Sequence, residues 1–252
     1  MAKRYERSDA SWELIKDLVS PEQKMGRPRS DDRLVLHGIL WILCSGAAWR
    51  DLPEPFGAWS TAYQRFRGWR DDGTFDRILE RLHIRLNQEG LIDLDTWMID
   101  STAMRATRAS SGAGKKEAEE PLDHALGRSR GGLTTRTHMV CDANGVPLRF
   151  MLSPGQASDI THAQPLLDQV RIPGKSVRPR KLRPGLPRLV DRPTYRQRTI
   201  TERMFGWLME NRRISTRYAK LARSLQPWSR WPAAYGACGN TFRTKPRLKT
   251  IR

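Results

Sequence analysis

The rhythm of apolar residues changes once along this chain, near Leu94, and that change prescribes a mixed fold. Upstream, apolar positions recur at helical spacing. Asp9 to Val19 reads as a helix closed by Ser20-Pro21, and Arg33 to Cys44 is apolar almost all round, as in a buried central helix. Ala58 to Arg70 puts its aromatic residues on one side and Gln64, Arg65, Arg67 and Arg70 on the other, predicted to face out. Thr74 to Asn87 gathers Phe75, Ile78, Leu79, Leu82 and Leu86 on one face. Downstream, the stretch from Leu94 to Thr102 alternates as a strand does, with Asp100 expected at its C-terminal end. Residues 105–132 read as a polar loop. Thr137 to Leu152 reads as a β-hairpin around Asn144-Gly145, a strong short-range hairpin signal. Ser158-Asp159 then caps a helix through Val170, and an Arg/Glu helix is expected from about Thr199 to Ala222.

A chain of 252 residues can bury a real core and divide into two domains. The helical part, residues 1–92, joins its second and third helices through a loop. That arrangement resembles a helix-turn-helix unit whose third helix lies across a DNA groove, with Arg65, Arg67 and Arg70 as DNA contacts. A plain small helical bundle fits the same pattern.

Charge is segregated. Residues 171–252 carry 22 Lys and Arg against Asp191, Glu202 and Glu210 alone, so the whole net charge of +18 is owed to the last third. Such a concentration suits a polyanionic partner, bound more tightly at low salt through counterion release. Nucleic acid is the natural candidate, and a solvated basic surface is the plain alternative. No clean amphipathic helix points to a membrane surface. Cys44, Cys141 and Cys238 lie far apart and suggest no disulfide frame. The opening residues lack an apolar leader core, so a soluble, cytoplasmic protein is expected.

Two carboxylates stand out. Asp100 follows Met98-Ile99 and precedes Ser101-Thr102. Glu202 sits among arginines in Tyr195-Arg-Gln-Arg198-Thr-Ile-Thr-Glu202-Arg203. Taken singly, Asp100 is a surface acid at a strand end and Glu202 a helix-face partner of Arg198 or Arg203. Taken together, these motifs resemble bacterial insertion-sequence transposases of the IS-five type. In that family the first catalytic Asp stands in an Ile-Asp-Ser/Thr context. The C-terminal signature is Tyr, two residues, Arg, three residues, Glu, six residues, Lys; Tyr195, Arg198 and Glu202 fall in register, and Met209 replaces the Lys.

The resemblance covers about residues 8 to 224. It implies a helical DNA-binding region followed by an RNase H-like α/β domain, residues 93–224, with an irregular tail over 225–252. It also implies DNA strand cleavage and transfer at element ends using Mg²⁺ or Mn²⁺. Two-ion phosphodiester chemistry needs hard oxygen ligands from distant parts of the chain, a role that falls on Asp100 and Glu202 as catalytic and metal-binding residues. Tyr195, Arg198 and Arg203 would hold DNA phosphates. Terminal inverted repeats and target DNA are the implied partners, a homodimer the implied assembly and the bacterial nucleoid the implied place.

The family's second Asp has no counterpart. It belongs to a strand between the helix ending near Val170 and the Tyr/Arg/Glu helix, and here Gly174–Lys181 runs directly into Pro184–Tyr195, as if an internal segment were deleted at about 181–184. Asp191, the remaining acid there, lies where the family has a linker. From Leu225 onward the chain resembles translation in a shifted frame, with Pro227, Pro232, Gly236 and Gly239 opposing a closing helix; poor packing is expected. The incomplete RNase H-like domain therefore points to a defective transposase. A DNA-binding remnant that occupies element ends without cutting is the alternative, and a non-specific nucleic-acid binder using residues 171–223 is a weaker third.

Overall fold

The helices come first because residues 32–88 concentrate apolar side chains on matching faces. In the computed structural model, which describes residues 8–19, 25, 29–93, 95–112, 120–172 and 199–228, the expected first helix is two short ones, α1 (Asp9–Glu13) and α2 (Lys16–Val19). The Ser8 hydroxyl accepts from Ser11 N to cap α1. The central α3 (Asp32–Ser45) starts at Asp31, whose carboxylate accepts from Arg33 N at 2.8 Å. Val35, Leu36, Ile39, Leu40, Ile42 and Leu43 are buried on α3, each worth roughly 1.5–3 kcal/mol as an upper bound. Helices α4 (Trp59–Asp71) and α5 (Thr74–Gln88) complete the set. Among the described residues no helix is long and apolar enough to cross a membrane.

Strand β1 (Trp97–Ala106) is flanked antiparallel by β3 (Gly132–Asp142), with Asp100 opposite Met139. Strand β4 (Pro147–Pro154) pairs the other side of β3, and β2 (Gly127–Ser129) pairs its opening residues. Asp100 is therefore the fourth residue of a ten-residue strand, not its end. Ala103 to Ala106, past the expected strand end at Thr102 and from Arg105 inside the expected loop, continue the strand because Arg136 to Thr134 pair with Ala103 to Arg105 and Arg217 pairs with Ala106, contacts no local pattern reveals.

The hairpin forms where Asn144-Gly145 placed it. Gly145 has φ 83°, and Gly145 N donates to Asp142 O at 3.1 Å. The Asp142 carboxylate also accepts from Asn144 N (3.0 Å), Val146 N (2.6 Å) and Asp93 N (2.7 Å). Burial nevertheless pushes the Asp142 carboxyl up to about 6 against those three donors.

Two helices cover opposite faces of the sheet. Helix α6 (Asp159–Asp168) packs Leu166 and Leu167 with Val140, Ile99 and Trp97. Helix α7 (Thr199–Met209) sends Met204, Phe205 and Leu208 into a larger core that includes Met98, Met104, Met139, Cys141, Phe150 and the apolar faces of α2 to α5. The N-terminal helices and the sheet thus share one core. Burial pushes the Cys141 thiol there up to about 12.

The expected helix to Ala222 stops at Met209. Asn211 turns extended (φ −84°, ψ 106°) and its side-chain amide donates to Leu208 O at 3.2 Å. A short helix α8 (Arg212–Ser215) and strand β5 (Thr216–Arg217) follow, β5 lying parallel to β1 at Arg105 and Ala106. At the end of α3, Gly46 (φ 72°) meets α8 so closely that a Cβ there would lie 2.8 Å from the Arg212 Cβ. Arg217 is fully buried: its guanidinium donates to the carbonyls of Ala125 (3.0 Å), Ala219 (2.9 Å) and Lys220 (2.8 Å) and to the Thr135 hydroxyl. The distant Ala125 carbonyl and Thr135 hydroxyl thus anchor Arg217 in an extended segment where the sequence pattern continues a helix.

The expectation of poor packing after residue 224 fails for the residues described. Leu225 and Trp228 are buried, and Trp228 stacks on Phe66 at 4.5 Å between ring centroids. Residues 229–252, the 181–184 junction, Asp191 and Cys238 lie outside the described residues.

Candidate catalytic centre

Successive residues of a strand point to opposite faces, so Asp100 and its neighbour Ser101 face different helices. Asp100 Oδ1 accepts from Ser101 N at 2.8 Å, and Oδ2 accepts from the Thr201 hydroxyl at 3.0 Å. Thr201 is buried in the first turn of α7, and the next residue, Glu202, is exposed. The fold therefore brings the helix start that carries Glu202 onto Asp100. One turn beyond Glu202, Gly206 leaves the exposed helix surface bare, with no heavy atom within 4 Å of where a Cβ would be.

On the other face, Ser101 Oγ donates to Asp159 Oδ1 at 2.7 Å, and Arg136 Nη1 reaches the same oxygen at 2.7 Å. Partial burial works to raise the Asp159 carboxyl, but the hydrogen bonds from Arg136 and Ser101 hold it below the ordinary range. His138 Nδ1 lies 3.5 Å from the same carboxylate, its Nε2 is 2.7 Å from Ser153 Oγ, and its ring stacks on His162 at 4.8 Å. Burial, helped by His162, drives His138 down to about 4, so it is neutral at physiological pH. The sequence pattern marks Ser158-Asp159 as a helix cap, but Ser158 makes no side-chain cap bond and Asp159 is spent on the sheet. Thr201, Ser101 and Asp159 carry no sequence signal beyond adjacency to Glu202, to Asp100 and to the helix start.

The expected DNA contacts separate. Arg65 pairs with the buried Asp32 at 3.0 Å. Arg70, its side chain only 7% exposed, grips Asp71 (2.7 Å) and Ser224 Oγ (2.7 Å). The outward orientation read from helical periodicity is thus wrong for Arg70, which Asp71 and Ser224 draw in, whereas Arg65 stays partly exposed beside Asp32 of α3; Arg67 stays exposed. Arg203 is exposed on α7, with Nε 3.4 Å from Thr199 O. Tyr195 and Arg198 lie outside the described residues.

Paired divalent ions need several converging oxygen donors. Among the described residues no three His, Cys, Asp or Glu side chains converge as metal ligands, so Asp100 and the start of α7 do not by themselves fit a two-ion centre.

Comparison with known proteins gives this geometry a family. Residues 8–79 match the family model for transposases of the IS4/5 family (DUF4096), and residues 94–182 match the transposase DDE domain. The second match closes inside the 181–184 interval, before α7. The chain is 37% identical over 120 residues to the insertion element IS402 uncharacterized 16.2 kDa protein of Burkholderia cepacia, covering 45% of this chain and 79% of the relative. It is 38% identical over 106 residues to the uncharacterized protein y4sN of Sinorhizobium fredii (strain NBRC 101917 / NGR234), covering 42% and 80%. No solved structure matches. With a helical region and a DDE domain in this order, the chain belongs to the IS4/5 family of transposases.

Proposed function

We propose that this chain is a DDE transposase by descent that binds the DNA of insertion-sequence ends but has lost strand cleavage. The observation that carries the reading is the Thr201–Asp100 hydrogen bond, with no third metal-ligating side chain converging on it among the described residues. The joint between the opening strand and the Glu-bearing helix is kept, which favours descent from a working centre. The acid that would complete the centre has no counterpart, and the DDE match ends at residue 182, which favours an internal deletion at about 181–184. In this reading Asp100 and Glu202 are the surviving acids of the centre, and a Mg²⁺ or Mn²⁺ requirement belongs to the intact family arrangement.

Residues 1–92 serve as the DNA-binding part and residues 93–224 as the incomplete catalytic part. Tyr195, Arg198, Arg203 and Arg67 contact phosphates, and the basic last third supplies the general attraction for DNA. Arg65 and Arg70 act instead as struts for α4. Nucleoid association and a homodimer on paired ends complete the proposal.

The test is a mobility shift with terminal inverted-repeat duplex, followed by incubation in Mg²⁺. Binding that weakens with salt and yields no nicked product supports the reading. Nicking that disappears in Asp100→Ala restores the enzyme, and binding with no preference for the repeat leaves only a general nucleic-acid binder.

A further inference from the structure

With Arg70 turned inward and Arg65 paired with Asp32, one solvent-facing row of α4 is formed by Trp59, Tyr63 and Arg67, one turn apart along the helix. Trp59 and Tyr63 are 38% and 37% exposed, though most large apolar side chains on α3 to α5 are buried. Neither ring hangs loose. Tyr63 leans on Trp49 at 5.2 Å between centroids, and Trp49 is itself backed by Phe66 (5.4 Å) and Trp228 (6.1 Å). The Arg50 guanidinium lies 5.6 Å over the Trp59 ring. A ring held in place from behind, as Tyr63 is by Trp49, binds a flat partner at a reduced entropic cost.

The acid at the end of α4, Asp71, is already paired with Arg70 and lies 3.9 Å from Arg223, which leaves Arg50 and Arg67 to meet negative charge.

We propose that this face of α4 is a platform for single-stranded DNA, on which unstacked bases lie against Tyr63 and Trp59 while Arg50 and Arg67 take the phosphates. Bases in a duplex cover one another's faces; only an unpaired strand offers them to aromatic side chains. The inference rests on the DNA-binding reading above and deepens it, since strand ends become single when an element end opens.

The test uses the full chain and measures by fluorescence anisotropy the affinity for a labelled single strand and for a duplex of the same sequence, because the basic last third attracts both. Trp59→Ala and Tyr63→Ala each lower single-strand affinity about tenfold and leave duplex affinity unchanged, whereas Trp59→Phe and Tyr63→Phe retain it. Equal loss on both DNAs, or no loss on the single strand, overturns the platform. So does a shift in sedimentation from dimer to monomer in the alanine variants with single-strand affinity kept, because the face is then a protein interface. A wild-type chain that binds neither DNA sinks the DNA-binding reading itself.

Discussion

The two faces of the central strand solve the same problem with opposite chemistry. On the Asp100 face, the partner is one hydroxyl, Thr201, at the rim of an apolar core shared by α7, the sheet and the N-terminal helices. On the Ser101 face, the partner is Asp159, itself held by Arg136 and set beside a buried neutral histidine. Consecutive residues thus dock α7 and α6 onto the same strand. Both acids stay within reach of solvent, but Asp159 is tied to the Arg136 guanidinium, whereas the donors to Asp100 are a backbone N–H and a hydroxyl. Adjacent polar residues with the same sequence texture therefore carry different meanings, decided by which helix arrives on which side.

The largest effect that would break this comparison concerns the shared core. Trp228→Ala removes the ring stacked on Phe66 and lowers unfolding free energy by about 3 to 5 kcal/mol in urea denaturation. An effect below about 1 kcal/mol would mean that the Asp100 face does not depend on the tail.

The polar face is next, read through pH. His138 titrates at about 4 when folded against 6.5 ordinarily, so the unfolded chain binds the extra proton in that window. Its contribution is present above pH 6.5 and is lost as pH falls through 4, by about 3 kcal/mol. Asp142 opposes it: raised to about 6 from 3.8, it binds its proton more tightly when folded and stabilises as pH falls through the same range. His83, also held down by burial, acts in the same direction as His138, so the wild type loses stability on acidification relative to His138→Gln. Parallel profiles for the two proteins would show that the histidine is not held neutral.

Smaller effects sharpen the Asp100 side. Thr201→Val leaves Asp100 Oδ2 without its hydroxyl donor and costs about 1 to 2 kcal/mol, which Thr201→Ser largely recovers. Gly206→Ala, with open space around it, stabilises α7 by roughly 0.5–1 kcal/mol. Chemical denaturation of each variant measures both, and destabilisation by the alanine would mean that the helix surface there is already occupied.

Local pattern made the helices legible because α3 and α5 bury whatever their spacing aligns. The hairpin was legible because Asn144-Gly145 favours a turn, although a carboxylate two residues earlier holds it. Asp100 and the helix bearing Glu202 were legible as a motif, and the fold joins them through Thr201. What escaped depends on distant partners. Arg65 turns toward Asp32 and Arg70 toward Ser224, far away in the chain. β1 is extended by pairing with Thr134 to Arg136, and the segment beyond α7 is extended where Arg217 reaches Ala125 O and the Thr135 hydroxyl. Helical periodicity assigns faces, but it does not know which acid stands at their edges.

Counting bound Mn²⁺ by electron paramagnetic resonance in the wild type and in Asp100→Ala tests the central claim most directly. The account predicts no pair of ions: at most a single weakly held Mn²⁺ that Asp100→Ala releases. Two ions per chain, both lost in that variant, would mean that the acid set is complete and that this transposase still possesses a working centre.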